Sequence, residues 1–317
     1  MKATSNNVMK GIFWSAVASA VWGISGTTVQ FISQNQNLPA DWYLSIRTMG
    51  AGVILLIISL FMYGKKTFGV FSSWRTFGSL LAYAIFGLMA NLLTFYISIQ
   101  KGNASATTIL QYLSPLFIVL GGIFIKKQRP LSTDMIAFVV ALVGVILAIT
   151  KGDFTQMSIP MDSLLWGIGS GITAAFYVVL PKPIAKDHPP IVILGWGTFI
   201  AGVLFNAYRP VWVDPPVITG GVVLSISTVI LLGTIIPFGL LLYSSRFAPS
   251  DVISIMDALQ PATTAVLSVI FLGLGMNWVE VVGIVLVIVA IYILQRGRKN
   301  MEQVGYREED FQIYFYN

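Results

Sequence analysis

Apolar runs near 20 residues recur along this chain of 317 residues, and the stretches between them are short and rich in Gly, Pro, Asn, Lys and Arg. A helix of about 20 apolar residues spans the roughly 30 Å hydrocarbon core of a bilayer. Composition agrees: 56% of the residues are hydrophobic and 10% are charged, where soluble proteins carry about 45–50% and about 25%. The expected class is an all-α polytopic membrane protein. Turn and charge signals divide it into ten transmembrane helices, at about 11–33, 42–63, 76–98, 104–125, 134–150, 163–180, 190–207, 217–243, 250–272 and 279–295. The breaks, among them Asn35-Gln36-Asn37-Leu38-Pro39 and Lys126-Lys127-Gln128-Arg129-Pro130, hold residues that end helices or are costly in lipid. Lys2 and Lys10 precede the first apolar run as they would in a signal peptide, but the chain stays apolar downstream. An uncleaved first span is the better reading.

The second half repeats the first. Residues 104–115, ending Leu113-Ser114-Pro115, align with residues 250–261, ending Leu259-Gln260-Pro261, at a shift of 146 that continues ungapped and sets Val139 and Val143 on Val285 and Val289. Orientation follows from the basic residues. With the N-terminus inside, 15 of the 19 Lys and Arg lie on that side, Lys101, Lys151 and Arg209 lie opposite, and Arg47 lies within a span. That asymmetry predicts a plasma-membrane protein with both termini cytoplasmic. Five spans per half is an odd number, so the halves must enter the membrane from opposite sides. The expected architecture is therefore two five-helix inverted repeats, the arrangement by which transporters expose a central site alternately to each face. Its divisions are a cytoplasmic N-terminus (1–10), a first repeat (11–150), an external linker (151–162), a second repeat (163–296) and a cytoplasmic tail (297–317).

Several functions lose support. Cysteine is absent and the single His188 sits in a Pro-flanked loop, so no thiolate chemistry, metal cluster or catalytic histidine suggests an enzyme, and no cofactor or metal is expected. The net charge of +6 reflects topology rather than nucleic-acid binding. A channel or a lipid-interacting membrane protein is the alternative to a transporter, but no ring of like charges or filter-like segment is evident. The expected partners are a small-molecule substrate and the lipid bilayer, with a homodimer left open.

Certain residues carry a family resemblance. The first span has a small-residue face running from Trp14 to Trp22-Gly23, the second has Arg47 early in an apolar run, and the fourth and ninth carry Leu-x-Pro at Leu113-Ser114-Pro115 and Leu259-Gln260-Pro261. In order and spacing, over residues 11–296, this resembles the EamA-type family of the drug/metabolite transporter superfamily. The resemblance implies ten helices in two halves and export or import of small organic metabolites, often amino acids; a secondary transporter that exports an amino acid or related compound is the expected function. The chain departs from the family pattern where Gly-Glu-Arg-Leu often follows the fourth span: here the residues are Lys127-Gln128-Arg129.

Only two charged residues lie well inside the predicted spans, Arg47 and Asp257. An ionisable group there costs about 2.5–3.5 kcal/mol on insertion scales and marks a functional site by default. Arg47 is a candidate for a substrate carboxylate, against a structural hub or a side chain snorkelling to the interface. Asp257 is a candidate proton carrier or ammonium partner, since burial disfavours the charged carboxylate. The alternative is a structural acid paired with Arg47 or with backbone. Its repeat counterpart is Gln111. Gln111, Gln260 and the carbonyls released by Pro115 and Pro261 could line a cavity, with the prolines as hinges. Trp22, Tyr96, Tyr177 and Trp196 are mid-span aromatics able to stack on a substrate, though packing is their commoner role. Small residues at every fourth position, Ser15-Ser19-Gly23 and Gly167-Gly171-Ala175, predict close helix contacts. Trp42, Tyr43, Tyr63, Trp74, Tyr208, Trp212 and Trp278 fall at span ends, where aromatic rings settle among the headgroups.

Overall fold

The structure is a computed structural model that describes residues 5–127, 130–248, 253 and 256–303. All regular structure among these is helical. The helices are α1 (Ser5–Gln30), α2 (Ala40–Tyr63), α3 (Trp74–Ala82), α4 (Ala90–Lys101), α5 (Ala104–Gln111), α6 (Ser114–Lys126), α7 (Ser132–Thr150), α8 (Met161–Val179), α9 (Lys182–Ala185), α10 (Pro190–Tyr208), α11 (Gly220–Ile230), α12 (Ile236–Ser244), α13 (Leu259–Leu272) and α14 (Trp278–Gln303). Nine helical stretches among the described residues are long and apolar enough to cross a membrane. The remaining expected span, 250–272, falls partly outside the described residues. Its described part, α13, is an apolar helix of 14 residues.

Local chemistry sets the helix ends. Ser73 and Thr219 cap α3 and α11 by accepting hydrogen bonds from the backbone of Arg75 and Val222, both at 3.2 Å, which satisfies amides that a helix start leaves free. Gly64 and Gly273 close α2 and α13 at φ of 54° and 64°, a conformation glycine adopts without a Cβ penalty. Three π-turns interrupt the ladder, at Phe31–Asn35 after α1, Tyr83–Met89 between α3 and α4, and Leu231–Ile235 between α11 and α12.

The chain divides into two compact units, and both draw on each half of the sequence. One comprises Met1–Gln111 and Ile159–Gly275, the other Tyr112–Ser158 and Met276–Asn317. In the larger unit α2 packs on α10, α4 and α5 on α8, α1 on α12 and α13, and α5 on α13. Glycines bring these helices together: a Cβ at Gly52 would lie 2.6 Å from the Phe199 backbone, and one at Gly202 would lie 2.7 Å from Met49 N. The two small-residue stripes are likewise buried, as expected. A Cβ at Gly23 would lie 2.6 Å from Thr263 Cβ, and one at Gly167 would run into Leu110. In the smaller unit α7 packs along α14. Ala137, Ala141, Ala290, Ile291 and Leu294 are buried there with Leu116 and Val119 of α6, while Val139, Leu142 and Ile146 form an exposed apolar stripe on α7. Such a stripe is the surface a helix offers to lipid.

The span-end aromatics divide into an exposed group and a buried pair, with Tyr63 half-buried between them. Trp74, Tyr208, Trp212 and Trp278 are 74–88% exposed, whereas Trp42 and Tyr43 are buried. The expectation of a headgroup position fails for that pair, because Trp42 Nε1 donates to the carbonyl of Val211 at 2.9 Å and Tyr43 stacks on Tyr96 with centroids 4.8 Å apart.

Candidate substrate site

The Leu-x-Pro segments do not bend continuous helices; the helices stop ahead of them. Tyr112 and Leu113 form a turn between α5 and α6, and Asp257 and Ala258 form a turn before α13. Pro115 is therefore the second residue of α6 and Pro261 the third of α13. Proline's missing N–H is harmless in a first turn, where the amide would have no intrahelical partner. Unwound backbone at membrane depth is tolerated only inside protein or beside water, so both breaks are natural borders for a polar site. The π-turns add to this. Shifted by the same 146 residues, 85–89 of the first long π-turn fall on Leu231–Ile235. A π-turn disturbs the i→i−4 ladder, and Trp22 Nε1 donates to one of its carbonyls, Gly233 O, at 3.1 Å.

Beside each break stands a side chain bonded to a serine of an adjacent helix. Ser19 Oγ on α1 donates to Asp257 Oδ1 at 3.2 Å. Gln111 Nε2 at the end of α5 donates to Ser170 Oγ on α8 at 3.1 Å and to Asn91 Oδ1 at 3.3 Å. Asn91 Nδ2 in turn donates to Ser170 O at 3.0 Å and to Thr173 Oγ1 at 3.3 Å. The two environments differ: the acid has a lone hydroxyl donor recorded among the described residues, while the amide belongs to a neutral network that includes Asn91 and Thr173, neither of which stands out in sequence.

Arg47 is 8% exposed. Its Nη1 donates to Tyr43 Oη at 3.4 Å, and its guanidinium lies 5.9 Å from the centroid of the same ring. Tyr96, buried behind Tyr43, donates its hydroxyl to Leu38 O at 2.7 Å. Among the described residues no carboxylate lies within ion-pair distance of Arg47; Asp162, Glu280 and Asp41 pair with Lys101, Lys151 and Arg209. The structural pairing of Arg47 with Asp257, one alternative open in the sequence, is absent: each has its own partner.

Trp196 donates to Thr67 O at 2.8 Å and meets Phe71 edge-on at 4.6 Å, which ties α10 to the segment after α2. Tyr177 lies against Tyr83, with centroids 5.6 Å apart. Gln260 is half-buried, and its carbonyl accepts from Thr264 Oγ1 at 3.0 Å. Sequence reasoning missed Glu280, a buried acid at the start of α14 that pairs with Lys151 at 2.8 Å. It is the second residue of the expected span 279–295 and so does not count among the charges well inside a span.

The helices and the exposed apolar surface are those of a polytopic membrane protein, and the comparisons give its class as a transporter. The model of the EamA-like transporter family matches residues 9–150 and 162–296; the chain belongs to that family. It is 28% identical over 285 residues to the uncharacterized inner membrane transporter YicL of Salmonella typhimurium, an alignment covering 90% of this chain and 95% of that one. It is 26% identical to protein PecM of Dickeya dadantii, covering 88% and 90%. To the threonine/homoserine exporter RhtA of Salmonella typhimurium it is 23% identical over 197 residues, covering 62% and 64%. A protein solved by crystallography shares the fold, with a TM-score of 0.59 at 13% identity, covering 95% of this chain and all of that one.

Proposed function

We propose that this protein is a secondary transporter that exports a small organic carboxylate, with an amino acid as the best candidate, across the plasma membrane by alternating access. The observation that carries the substrate class is Arg47: a buried guanidinium with no carboxylate beside it among the described residues. An uncompensated buried charge is costly, and a substrate carboxylate would complete it with charge-assisted hydrogen bonds. Asp257, held by a lone serine hydroxyl beside unwound backbone, suits a substrate ammonium or a coupling proton. Partial similarity to an exporter named for threonine and homoserine is consistent with an amino acid.

Ten spans in two inverted repeats, with both termini cytoplasmic, form the proposed frame. The distribution of Lys and Arg supports it, as do the helix pairings. Exchanging each span for its counterpart five spans on turns the α4–α8 contact into α12–α1 and the α5–α8 contact into α13–α1, while α2–α10, α5–α13 and α7–α14 map onto themselves. Rocking of such halves would expose Arg47 and Asp257 to each face in turn.

The test is a metabolite-panel counterflow assay in proteoliposomes, on the wild type and on Arg47→Ala. Loss of charge-assisted hydrogen bonds of about 1.5–3 kcal/mol predicts a KM for carboxylate substrates raised about tenfold to hundredfold, with neutral analogues unchanged. Equal loss for both classes assigns Arg47 a structural role and removes the carboxylate reading.

A further inference from the structure

Two glutamines that the substrate reading does not use tie α1 to the corner between α4 and α5. Gln34, in the π-turn that follows α1, donates its Nε2 to Ile99 O at 2.9 Å and to Gly102 O at 2.8 Å. Gln30, 2% exposed, accepts the Ala104 amide on Oε1 at 2.7 Å. The two side chains are joined by Gln30 Nε2 donating to Gln34 Oε1 at 3.0 Å. The main-chain groups they hold are the carbonyls of Ile99, in the last turn of α4, and of Gly102, just past it, together with the opening amide of α5; helix ends leave such groups short of intrahelical partners. The π-turn carries Gln34 round to this corner.

These bonds adjoin an apolar cluster in which Val29, Ile32, Tyr43, Tyr96, Ile99 and Ile226 are buried, and Arg47 donates to the Tyr43 hydroxyl in that cluster. The same end of the larger unit carries further polar ties between helices. Ser98 and Ser163 exchange hydroxyl-to-carbonyl bonds at 2.9 and 2.8 Å, Lys101 pairs with Asp162 at 2.5 Å, and Arg209 pairs with Asp41 at 3.0 Å.

We infer that Gln30 and Gln34 form the latch of the outer gate: their bonds to the α4–α5 corner hold the outer path to Arg47 shut, and their release opens it. The inference rests on the orientation and alternating-access reading above. The chemistry suits a reversible latch. All four bonds join neutral groups that water satisfies nearly as well once the gap opens, so no charge is stranded in either state.

The absence of cysteine makes the test direct. A single Ile226→Cys reporter, buried in the adjoining cluster, is treated with a membrane-impermeant maleimide on intact cells, alone and combined with Gln34→Ala or Gln30→Ala/Gln34→Ala. A latch predicts labelling from outside at least about ten times faster in the combined variants. If the double variant fails to fold, Gln34→Glu serves: it keeps the shape, but its carboxylate cannot donate to Ile99 O and Gly102 O, and the same acceleration is expected. Labelling of the reporter at one rate with and without the latch substitutions leaves alternating access standing and overturns the latch. A reporter that stays unlabelled in every background overturns both.

Discussion

Arg47 and Asp257 have unlike surroundings, and this separates their proposed roles. Arg47 is held from one side by the Tyr43 hydroxyl and ring, which leaves guanidinium donors for a ligand. Asp257 has one carboxylate oxygen bonded to Ser19 and stands where the helix is unwound, so a proton or an ammonium could be exchanged there without breaking a helix. Replacing Asp257 by Asn keeps the shape and the Ser19 contact but abolishes protonation. Proton-coupled flux should fall to background in proteoliposomes while the protein still inserts and stays monodisperse. Undiminished and still pH-dependent flux would remove Asp257 as the coupling acid. Both charges were legible in the sequence, since an ionisable residue in an apolar run is conspicuous. Asn91, Ser170 and Thr173 around Gln111 were not, because single neutral polar residues are ordinary in such helices and only their convergence from α4 and α8 makes a network.

At the scale of the helix, the α2–α10 contact offers the sharpest test of packing. Gly52→Ala would place a methyl group 2.6 Å from the Phe199 backbone, and backbone cannot move aside as a side chain can. Overpacking of this kind costs about 1–3 kcal/mol, so a lower melting temperature in detergent is expected. Gly239→Ala is the control: its Cβ would meet nothing within 4 Å, and replacing a mid-helix glycine is worth up to ~1 kcal/mol in the other direction. Helix positions were largely readable from apolar runs and their breaks. The interruptions were readable only in part. Leu-x-Pro flags both breaks, although the prolines open new helices instead of kinking old ones. The π-turns at Tyr83–Met89 and Leu231–Ile235 carry no residue signature, since Ile, Leu, Phe and Gly serve equally well in an α-turn. Trp22 was noticed as a possible stacking platform, yet its indole N–H is committed to Gly233 O.

Across the molecule, the pairwise exchange of helix contacts and the charge bias of the loops make one combined claim about topology. Single cysteines at Ser72 and Ser158, both exposed, test it by impermeant labelling. Ser158→Cys should react in intact cells, and Ser72→Cys only after permeabilisation. The reverse pattern would invert the orientation and place the Gln30–Gln34 bolt on the cytoplasmic side. The compact units cut across the sequence halves, since α6, α7 and α14 separate from the rest. A repeat in sequence therefore need not be a body in space.

Membership of the membrane class, the placing of most spans and the two charges worth testing follow from the sequence by itself. Insertion is decided within windows of about 20 residues, where apolar side chains outweigh everything else. The tertiary structure alone decided what the polar groups do. Ser19 meets Asp257, Gln34 meets Ile99 and Gly102, and Arg47 meets a tyrosine instead of an acid. Apart from that tyrosine, one turn away on the same helix, these partners are far apart in the chain. A helical period tells which face a residue occupies, not which distant helix will cover it.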